Sequence, residues 1–438
     1  MLHQPVELEY QTYRLANGLN VILSRDPSVP LVAVNLWYQV GSANERPGRT
    51  GFAHLFEHMM FQGSESVPAD GHFRTIQEIG GTLNGSTSSD RTNYFQAVPA
   101  NFLERVLWLE ADRMASLLPA MTIAKLDNQR SVVKNERREH YDNAPYGLAF
   151  EVLSERLFPQ SHPYSWSTIG SMDDLDAATL ADVAEFFRSY YTPRNCSLAV
   201  VGDFDPVRAK EWIELHFGPI PPGGTIERPV APFVRLEGER IHLLEDRVQL
   251  PRLYLAWPTP AQFEPGDAEL DILGHILSEG ENARLHRRLV RDERTAQWVS
   301  SFQYSRPLSG MFVVTVQGLE DGALSSLRET VDQELAALAR ERPPTEREVQ
   351  RAVNHLETFL VRQMETALGR ADALNLYYTF TGDPGALADE LARYRKVTPE
   401  EVARAAAEWL NGGRVTLSVV PAGSTGLAAK PAAVEDAA

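Results

Sequence analysis

The sequence predicts an α+β protein made of two related domains, and three features lead to this expectation. Its 438 residues are enough for two to four domains at about 100–200 residues each. A Pro- and Gly-rich segment at 219–232 has the composition of an extended linker. After it, the order of strands and helices starts again, a weak internal repeat of about 200 residues. We therefore predict domains at 1–218 and 233–422, and a disordered Ala-rich tail at 423–438.

The first half of the chain alternates short strands with longer helices. The Asn17-Gly18 turn within 11–24 predicts a hairpin, and the apolar run from Leu31 to Val40 predicts a strand. Apolar residues spaced three and four apart, together with helix-start and helix-end residues, predict several helices. These helices fall at about 50–62, 101–118, 123–142, 179–191 and 206–217, with a buried strand at Ser197–Val201.

The second half repeats this order. The apolar segment at 252–260 corresponds to the one at 31–42, and each precedes a loop and a helix. In the second half that helix is predicted at Asp267–Leu277. Late in each half, a further helix leads into a short apolar strand, so the two halves are expected to share one α+β arrangement.

Composition and charge exclude several classes of protein. The 42 Lys and Arg residues against 59 Asp and Glu residues give a net charge of −17, which argues against a nucleic-acid partner and weakly favours basic or neutral partners. No segment has the ~18 consecutive apolar residues of a membrane-spanning helix. A hydrophobic content of 43% excludes a mostly disordered chain.

Two features bear on the cellular compartment. Cys196 is the one cysteine, so a disulfide within the chain is impossible, and its apolar surroundings predict a buried strand thiol. The N-terminal residues lack the basic start and apolar run of a signal peptide. We therefore expect a cytoplasmic protein, or a periplasmic one if a leader has been removed.

The residues that carry chemistry lie in the segment GFAHLFEHMMFQG, at 51–63. His54 and His58 are four apart, so on a helix they share one face and can bind the same metal ion. Imidazole nitrogens suit zinc, which keeps one position open when it is catalytic. Glu57 points to the same side and could accept a proton from water instead of binding the metal. This order of residues, His-x-x-Glu-His, is the inverted form of the commoner zinc-protease motif.

A third protein ligand is required, and the charged helix at 123–142 offers candidates. Glu136 lies one turn after Val132 and Val133, which give that helix an inward face. Glu139 is a second candidate in the same run, and spacing alone does not choose between the two glutamates.

With these segments in place, the chain resembles the pitrilysin, insulin-degrading enzyme and mitochondrial processing peptidase family of zinc metallopeptidases. The segments that carry the resemblance are GRTGFAHLFEHMMFQGSE at 48–65, GGTLNGSTSSDRTNYF at 80–95, VVKNERREHYDNAPYG at 132–147, HPYSWSTIG at 162–170 and YYTPRNCSLAVVGDFD at 190–205. The length matches the half-size, two-domain members that resemble processing peptidase subunits.

The resemblance implies a site and an architecture. His54, His58 and Glu136 match the zinc ligands, which favours Glu136 over Glu139, and Glu57 matches the general base. Each domain is expected to be a largely antiparallel sheet with helices packed on one face. Two such chains are expected to pair as a clamshell around a closed chamber, with the zinc site of one chain facing the C-terminal domain of the other.

The resemblance also implies how a substrate binds. In the family an unfolded peptide adds a strand to a sheet edge, which fixes its backbone independently of its side chains. The segment at 81–88 matches that edge, with Asn84 and Gly85 where the family usually has Asn-Ala.

The sequence departs from the family pattern in two places. Gln129 stands seven residues before Glu136, where members often have a second glutamate. An amide brings no charge, so the hydrogen bonding that supports the zinc ligands is expected to differ. The C-terminal domain keeps Arg291 of an Arg/Tyr pair that binds the substrate carbonyl, but Trp298 replaces the tyrosine. An indole has one donor and no acceptor, so it does not replace a phenol hydroxyl directly.

Two interpretations of the tryptophan follow. The favoured one is the catalytic half of a heterodimer, whose zinc-less partner supplies the Arg/Tyr pair. The other is a homodimer in which Arg291 suffices. In both, the predicted function is zinc-dependent cleavage of unfolded peptides. The alternatives are a non-catalytic family member that acts as a scaffold or regulatory subunit, and a protein that binds zinc only structurally.

Overall fold

The computed structural model describes residues 8–430, which form two compact units with one β-sheet each. The first unit comprises the described residues up to 137, together with 166–229 and 358–391. The second comprises 138–165, 230–357 and the described residues from 392 onward. The predicted fold class, α+β with two sheet-containing domains, is confirmed.

The first sheet has six strands in the order β1-β2-β6-β3-β5-β4. Its strands are β1 (Gln11–Arg14), β2 (Asn20–Arg25), β3 (Leu31–Tyr38), β4 (Thr82–Thr87), β5 (Thr92–Pro99) and β6 (Cys196–Gly202). Neighbouring strands are antiparallel except β2 and β6, which are parallel. The strand β4 lies at one edge and pairs only with β5, in agreement with the edge expected at 81–88.

The second sheet repeats this arrangement with five strands in the order β7-β11-β8-β10-β9. Its strands are β7 (Glu239–Asp246), β8 (Arg252–Thr259), β9 (Ala296–Tyr304), β10 (Gly310–Gly318) and β11 (Arg414–Pro421). Here too the pair β7 and β11 is parallel and the other neighbours are antiparallel. Apart from β1, the two sheets match strand for strand, which confirms the internal repeat.

The helices are given in chain order. They are α1 (Phe52–Met59), α2 (Gly71–Glu78), α3 (Leu103–Ser116), α4 (Ile123–Arg137), α5 (Ala149–Leu157), α6 (Met172–Ala177), α7 (Leu180–Tyr190), α8 (Pro206–Phe217), α9 (Asp267–Ser278), α10 (Leu324–Arg340), α11 (Glu346–Gln363), α12 (Ala367–Thr381), α13 (Leu387–Lys396) and α14 (Pro399–Trp409). Two π-helical turns lie at Arg138–Asp142 and His286–Asp292. None of the helices in the described range is long and apolar enough to cross a membrane.

The hairpin at the start of the chain forms because its turn residues meet both local and distant requirements. Gly18 has a φ of +93°, a conformation that favours glycine. Asn17 is buried and donates side-chain hydrogen bonds to the carbonyls of Phe217 (2.7 Å) and Ile220 (3.0 Å). The turn is therefore fixed to the end of α8, and the predicted hairpin of β1 and β2 is confirmed.

The predicted contiguous domains differ from the compact units in two segments. The helix α12 belongs to the first unit, where Ala371 and Leu374 pack with Ile22 and Ala199 of the sheet. Its Asp372 side chain accepts hydrogen bonds from Asn35, Trp37 and Asn93, at 3.0–3.2 Å. Both faces of β3 are therefore buried.

The exchange runs in the other direction as well. The segment 138–165, which contains α5, belongs to the second unit, and α5 packs on β8 and β11. A prediction that divides the chain at one linker assigns α5 to the first domain and α12 to the second. In the structure each of these helices belongs to the other unit.

The predicted disordered tail is wrong over its first residues. Residues 425–427 form a 3-10 turn, and Ala429 is buried. The backbone N–H of Lys430 donates to the Ser325 hydroxyl (3.0 Å). The remaining tail, from 431, lies outside the described residues.

Candidate metal centre

The helix α1 is held by a buried apolar face. Phe52, Leu55, Phe56 and Met59 are all buried, and the ring of Phe56 lies 4.3 Å from that of Tyr191. The other side of the helix carries the half-buried His54, Glu57 and His58. The sequence therefore forms an amphipathic helix in which the chemical residues share one face. It is shorter than the predicted helix at about 50–62 and ends at Met59.

Two carboxylates fix the N-terminus of α1. Glu45 accepts hydrogen bonds from the backbone N–H groups of Gly51 (3.1 Å) and Ala53 (2.7 Å). Asp174 accepts from the backbone N–H (2.9 Å) and the hydroxyl (2.6 Å) of Thr50. These bonds satisfy first-turn donors that have no partner within the helix. Since Ala53 directly precedes His54, they also fix the backbone that carries the first histidine.

Burial raises the pKa of Glu45 to about 8, while its two backbone hydrogen bonds favour the ionised form. The positive end of the helix dipole also favours a carboxylate at this position.

The helix α4 brings the third candidate ligand to the histidines. Its inward face carries the buried Leu126, Gln129 and Val133, and Glu136 continues that face. Val132 is 41% exposed, so the prediction that it lies on the inward face of this helix is wrong.

The structure distinguishes the two candidate glutamates. The Glu136 carboxylate oxygens lie 3.6 Å from His54 Nε2 and 3.3 Å from His58 Nε2. Glu139 lies in the following π-helical turn and is exposed. The helical period is interrupted at residue 138, which separates the directions of the two side chains.

These three side chains fit a single metal ion. Their ligand atoms lie within 4.8 Å of one another. Zinc–ligand distances of about 2.0–2.2 Å in a tetrahedron place donor atoms about 3.3–3.6 Å apart, which matches the distances from Glu136 to the two imidazole nitrogens. Burial and the neighbouring His58 lower the pKa of His54 to about 4. His54 is therefore neutral near pH 7, which is the form that binds metals.

Glu57 is held from the edge strand β4. The Thr87 hydroxyl donates a 2.6 Å hydrogen bond to its Oε2 atom. Burial raises the pKa of Glu57, whereas this hydrogen bond lowers it. On the same face of the strand, a Cβ atom added to Gly85 would lie 3.1 Å from both Cγ and Oε1 of Glu57. Glycine therefore lets the backbone of β4 approach this carboxylate closely.

The predicted substrate-binding residues lie in two separate places. Asn84 is exposed on β4, one residue from Gly85, and its side chain accepts a hydrogen bond from the Gly85 N–H (2.9 Å). In the second unit, Arg291 lies in the second π-helical turn, where it pairs with Asp292 at 3.0 Å and its side chain is 48% exposed. Trp298, on β9, is 36% exposed, and the Arg252 guanidinium lies 5.0 Å from its ring centre.

Sequence reasoning missed two residues that support the site. Thr87 could be identified from the sequence, because alternation along a strand places it on the same face as Gly85. Glu45 gave no such signal, since it lies in a loop six residues before Gly51 with no periodic relation to the helix.

Comparison with known proteins identifies the family. Residues 20–169 match the profile described as insulinase (peptidase family M16), and residues 177–356 match the profile described as the peptidase M16 inactive domain. The chain belongs to the M16 peptidase family, which confirms the predicted relationship.

Individual relatives support this assignment. The chain is 31% identical to the zinc protease PqqE of Helicobacter pylori over 71% of this chain and 70% of that protein. It is 24% identical to the mitochondrial-processing peptidase subunit beta of Blastocladiella emersonii, over 81% and 76% of the two chains. The crystal structure of a protease from Helicobacter pylori superimposes with a TM-score of 0.86 at 26% identity, covering 95% of this chain and all of that one. These relatives include a named zinc protease, and the solved structure shares the two-domain fold.

The Glu136→Gln variant tests the assignment of the third ligand. We expect it to lose zinc affinity by more than the 10–100-fold typical of residues that only support a ligand, because an amide replaces a charged donor. Zinc content after dialysis against a weak chelator measures the effect. Glu139→Gln is the matched control and should retain zinc, so equal loss in both variants would contradict the assignment.

The Thr87→Val variant tests the hydrogen bond to Glu57. Loss of a hydrogen bond to a charged group, about 1.5–3 kcal/mol, should lower kcat by roughly 10–100-fold with little change in KM or zinc content. Thr87→Ser keeps the hydroxyl and should stay within a few-fold of the parent chain. An unchanged kcat in Thr87→Val would show that Glu57 does not depend on this bond.

Proposed function

We propose that this chain is a zinc-dependent endopeptidase that cleaves unfolded peptides. The observation that carries the proposal is the convergence of His54, His58 and Glu136 around one point, with Glu57 beside them on the same helix. Two imidazoles and one carboxylate leave a fourth tetrahedral position open, as catalytic zinc sites do. A structural zinc site would have four protein ligands.

The chain's own residues perform the proton transfers in this proposal. Zinc held by His54, His58 and Glu136 would polarise the peptide carbonyl as a Lewis acid and lower the pKa of the attacking water. Glu57 accepts a proton from that water and can return it to the departing amine. Glu57 is placed for this exchange because it shares the half-buried face of α1 with the two histidine ligands. Thr87 keeps the receiving carboxylate oriented.

The edge strand β4 is the proposed substrate platform. An extended peptide adds to β4 through main-chain hydrogen bonds, with Asn84 and Gly85 beside its backbone. Because Gly85 has no side chain, the bound peptide backbone can come near Glu57 and the metal ligands. This mode of binding requires an unfolded segment and is compatible with many side chains.

We further propose that the chain is the catalytic half of a heterodimer. Trp298 stands where the resemblance implies a tyrosine, and residues 177–356 match a domain described as inactive. A zinc-less homologous partner would then supply the Arg/Tyr pair at this chain's site. Two relatives carry names of assembly subunits, namely the processing peptidase subunit beta and the bovine cytochrome b-c1 complex subunit 1. The alternative is a homodimer that works with Arg291 alone.

A scaffold or regulatory role is the second candidate function. The inactive description of the C-terminal match favours it. The complete set of His54, Glu57, His58 and Glu136 argues against it, since nothing in a scaffold would require these four side chains to converge.

Hydrolysis of a mixed quenched-fluorescent peptide library tests the catalytic proposal, and a zinc-less homologous subunit is added if the chain alone cleaves no peptide. Cleavage should disappear with a zinc chelator and return with zinc. Glu57→Gln should lower turnover by at least the ~10²–10⁴-fold typical of a general base, while zinc content stays constant. Glu139→Gln is the control for a surface carboxylate. Cleavage that persists in zinc-loaded Glu57→Gln would overturn the proposed mechanism.

Trp298→Tyr tests the heterodimer proposal. If the missing hydroxyl limits the chain alone, restoring it should raise turnover towards the ~10²–10³-fold associated with one oxyanion donor. Trp298→Phe, which adds no hydroxyl, should give no increase. Cleavage at ordinary enzyme rates by the unmodified chain without a partner would favour the self-sufficient homodimer instead.

A further inference from the structure

A cavity of about 230 Å³ lies in the first unit, between the loop that precedes α1 and the helix α7. Its walls come from residues 44–49 of the loop, from Phe52 at the start of α1, and from residues 182–190 of α7. Among the described residues that line it, none is a metal ligand or Glu57. The volume lies below the ~300–1,000 Å³ of pockets that hold drug-sized ligands, so its occupant must be small.

Part of the lining is aromatic. Phe52 and Phe186 are both buried, and their ring centres lie 6.5 Å apart. The ring of Tyr190 lies 5.0 Å from that of Phe186 and extends the same surface. Aromatic rings at these separations offer a well-packed surface to an apolar or aromatic side chain.

An ion pair at the cavity is not closed by a hydrogen bond. Arg49 Nε lies 3.6 Å from Asp182 Oδ1, beyond hydrogen-bond distance, and makes no hydrogen bond within the described part of the chain. The other oxygen of Asp182 accepts from the backbone N–H (2.9 Å) and the hydroxyl (2.6 Å) of Thr179. A cation and an anion therefore lie side by side, and each keeps hydrogen-bonding capacity that the chain does not use.

The remaining charges of the lining are mixed in sign. Arg46 and Glu185 are exposed and add one cation and one anion to the cavity. Glu45 also lines it, but its carboxylate is already engaged by backbone N–H groups at the start of α1. A ligand of one charge would meet repulsion as well as attraction here, whereas a zwitterion can pair with both signs.

We propose that this cavity binds a free α-amino acid with an apolar, preferably aromatic, side chain. The ammonium and carboxylate groups of such a molecule are attached to one carbon atom, so they are neighbours, as Arg49 and Asp182 are. The carboxylate accepts hydrogen bonds from Arg49, the ammonium donates to Asp182, and the side chain packs on Phe52 and Phe186.

The position of the cavity connects it to α1. Glu45 and Phe52 line the cavity, and the same two residues help to fix the N-terminal turn of α1. A ligand held by both walls would join the loop to α7. Occupation should therefore stabilise the start of α1 and slow the exchange of its backbone amide hydrogens.

Calorimetric titration of the full chain with L-phenylalanine tests this proposal. Three analogues each lack one recognised group: phenethylamine has no carboxylate, 3-phenylpropionate has no ammonium, and L-alanine has no ring. Each should bind at least ~10-fold more weakly than L-phenylalanine, because a charged hydrogen bond or the aromatic contact is lost. Equal binding of all four compounds, or no binding of L-phenylalanine by the folded chain, would overturn the proposal.

Matched variants locate the binding. Arg49→Gln should weaken L-phenylalanine binding by at least ~10-fold. Ser189→Trp, at an exposed position of the cavity wall, should block the cavity without removing a proposed contact. Arg188→Gln, an exposed guanidinium of α7 outside the lining, is the control and should bind as the parent chain does. Unchanged binding in both Arg49→Gln and Ser189→Trp would contradict the assignment.

Hydrogen exchange provides the second measurement. L-phenylalanine should slow amide exchange across residues 44–53 in the parent chain and in Arg188→Gln, but not in Arg49→Gln. Exchange that is unaffected in the ligand-saturated parent chain would place the ligand elsewhere and overturn the inference. Both measurements report ligand binding, so they are independent of the proposed peptidase function.

Discussion

The fixed position of α1 is the constraint on which the candidate centre depends. His54 and His58 lie on successive turns, so rotation of the helix would move both donors away from Glu136 together. The buried phenylalanine and methionine side chains set the rotation of the helix, and the hydrogen bonds that its N-terminus donates to Glu45 and Asp174 set its position along the axis. Both are needed to fix the helix. Apolar packing alone would allow the helix to slide along its axis, and hydrogen bonds at one end alone would not decide which face is buried.

The chemistry arises from three elements that are far apart in sequence. The helix α1 provides two imidazoles and Glu57, α4 provides Glu136, and β4 provides Thr87 and the bare backbone of Gly85. The metal ligands and the proposed base are therefore held from different sides.

Short-range patterns predicted much of this structure, and long-range contacts account for what they missed. The hairpin at Asn17-Gly18 and the His-x-x-Glu-His helix follow from residues within a few positions of one another. The choice between Glu136 and Glu139 needed the family resemblance, because the π-helical turn that separates them has no clear sequence signal. Glu45 and the exchanged helices α5 and α12 depend on contacts across more distant parts of the chain, which spacing does not report.

The internal repeat gives a physical reason why the proposed hydrolysis belongs to the first unit and not to the second. The strands β4 and β9 occupy the same edge of their sheets, yet β4 presents Gly85 and Thr87 where β9 presents the exposed Trp298, Phe302 and Tyr304. Small residues let a peptide backbone approach a buried carboxylate, whereas aromatic side chains keep it at a distance and offer apolar contact instead. The repeat thus conserves the arrangement of strands and helices, and the residues on the edge strand and the paired helices decide which chemistry each half can support.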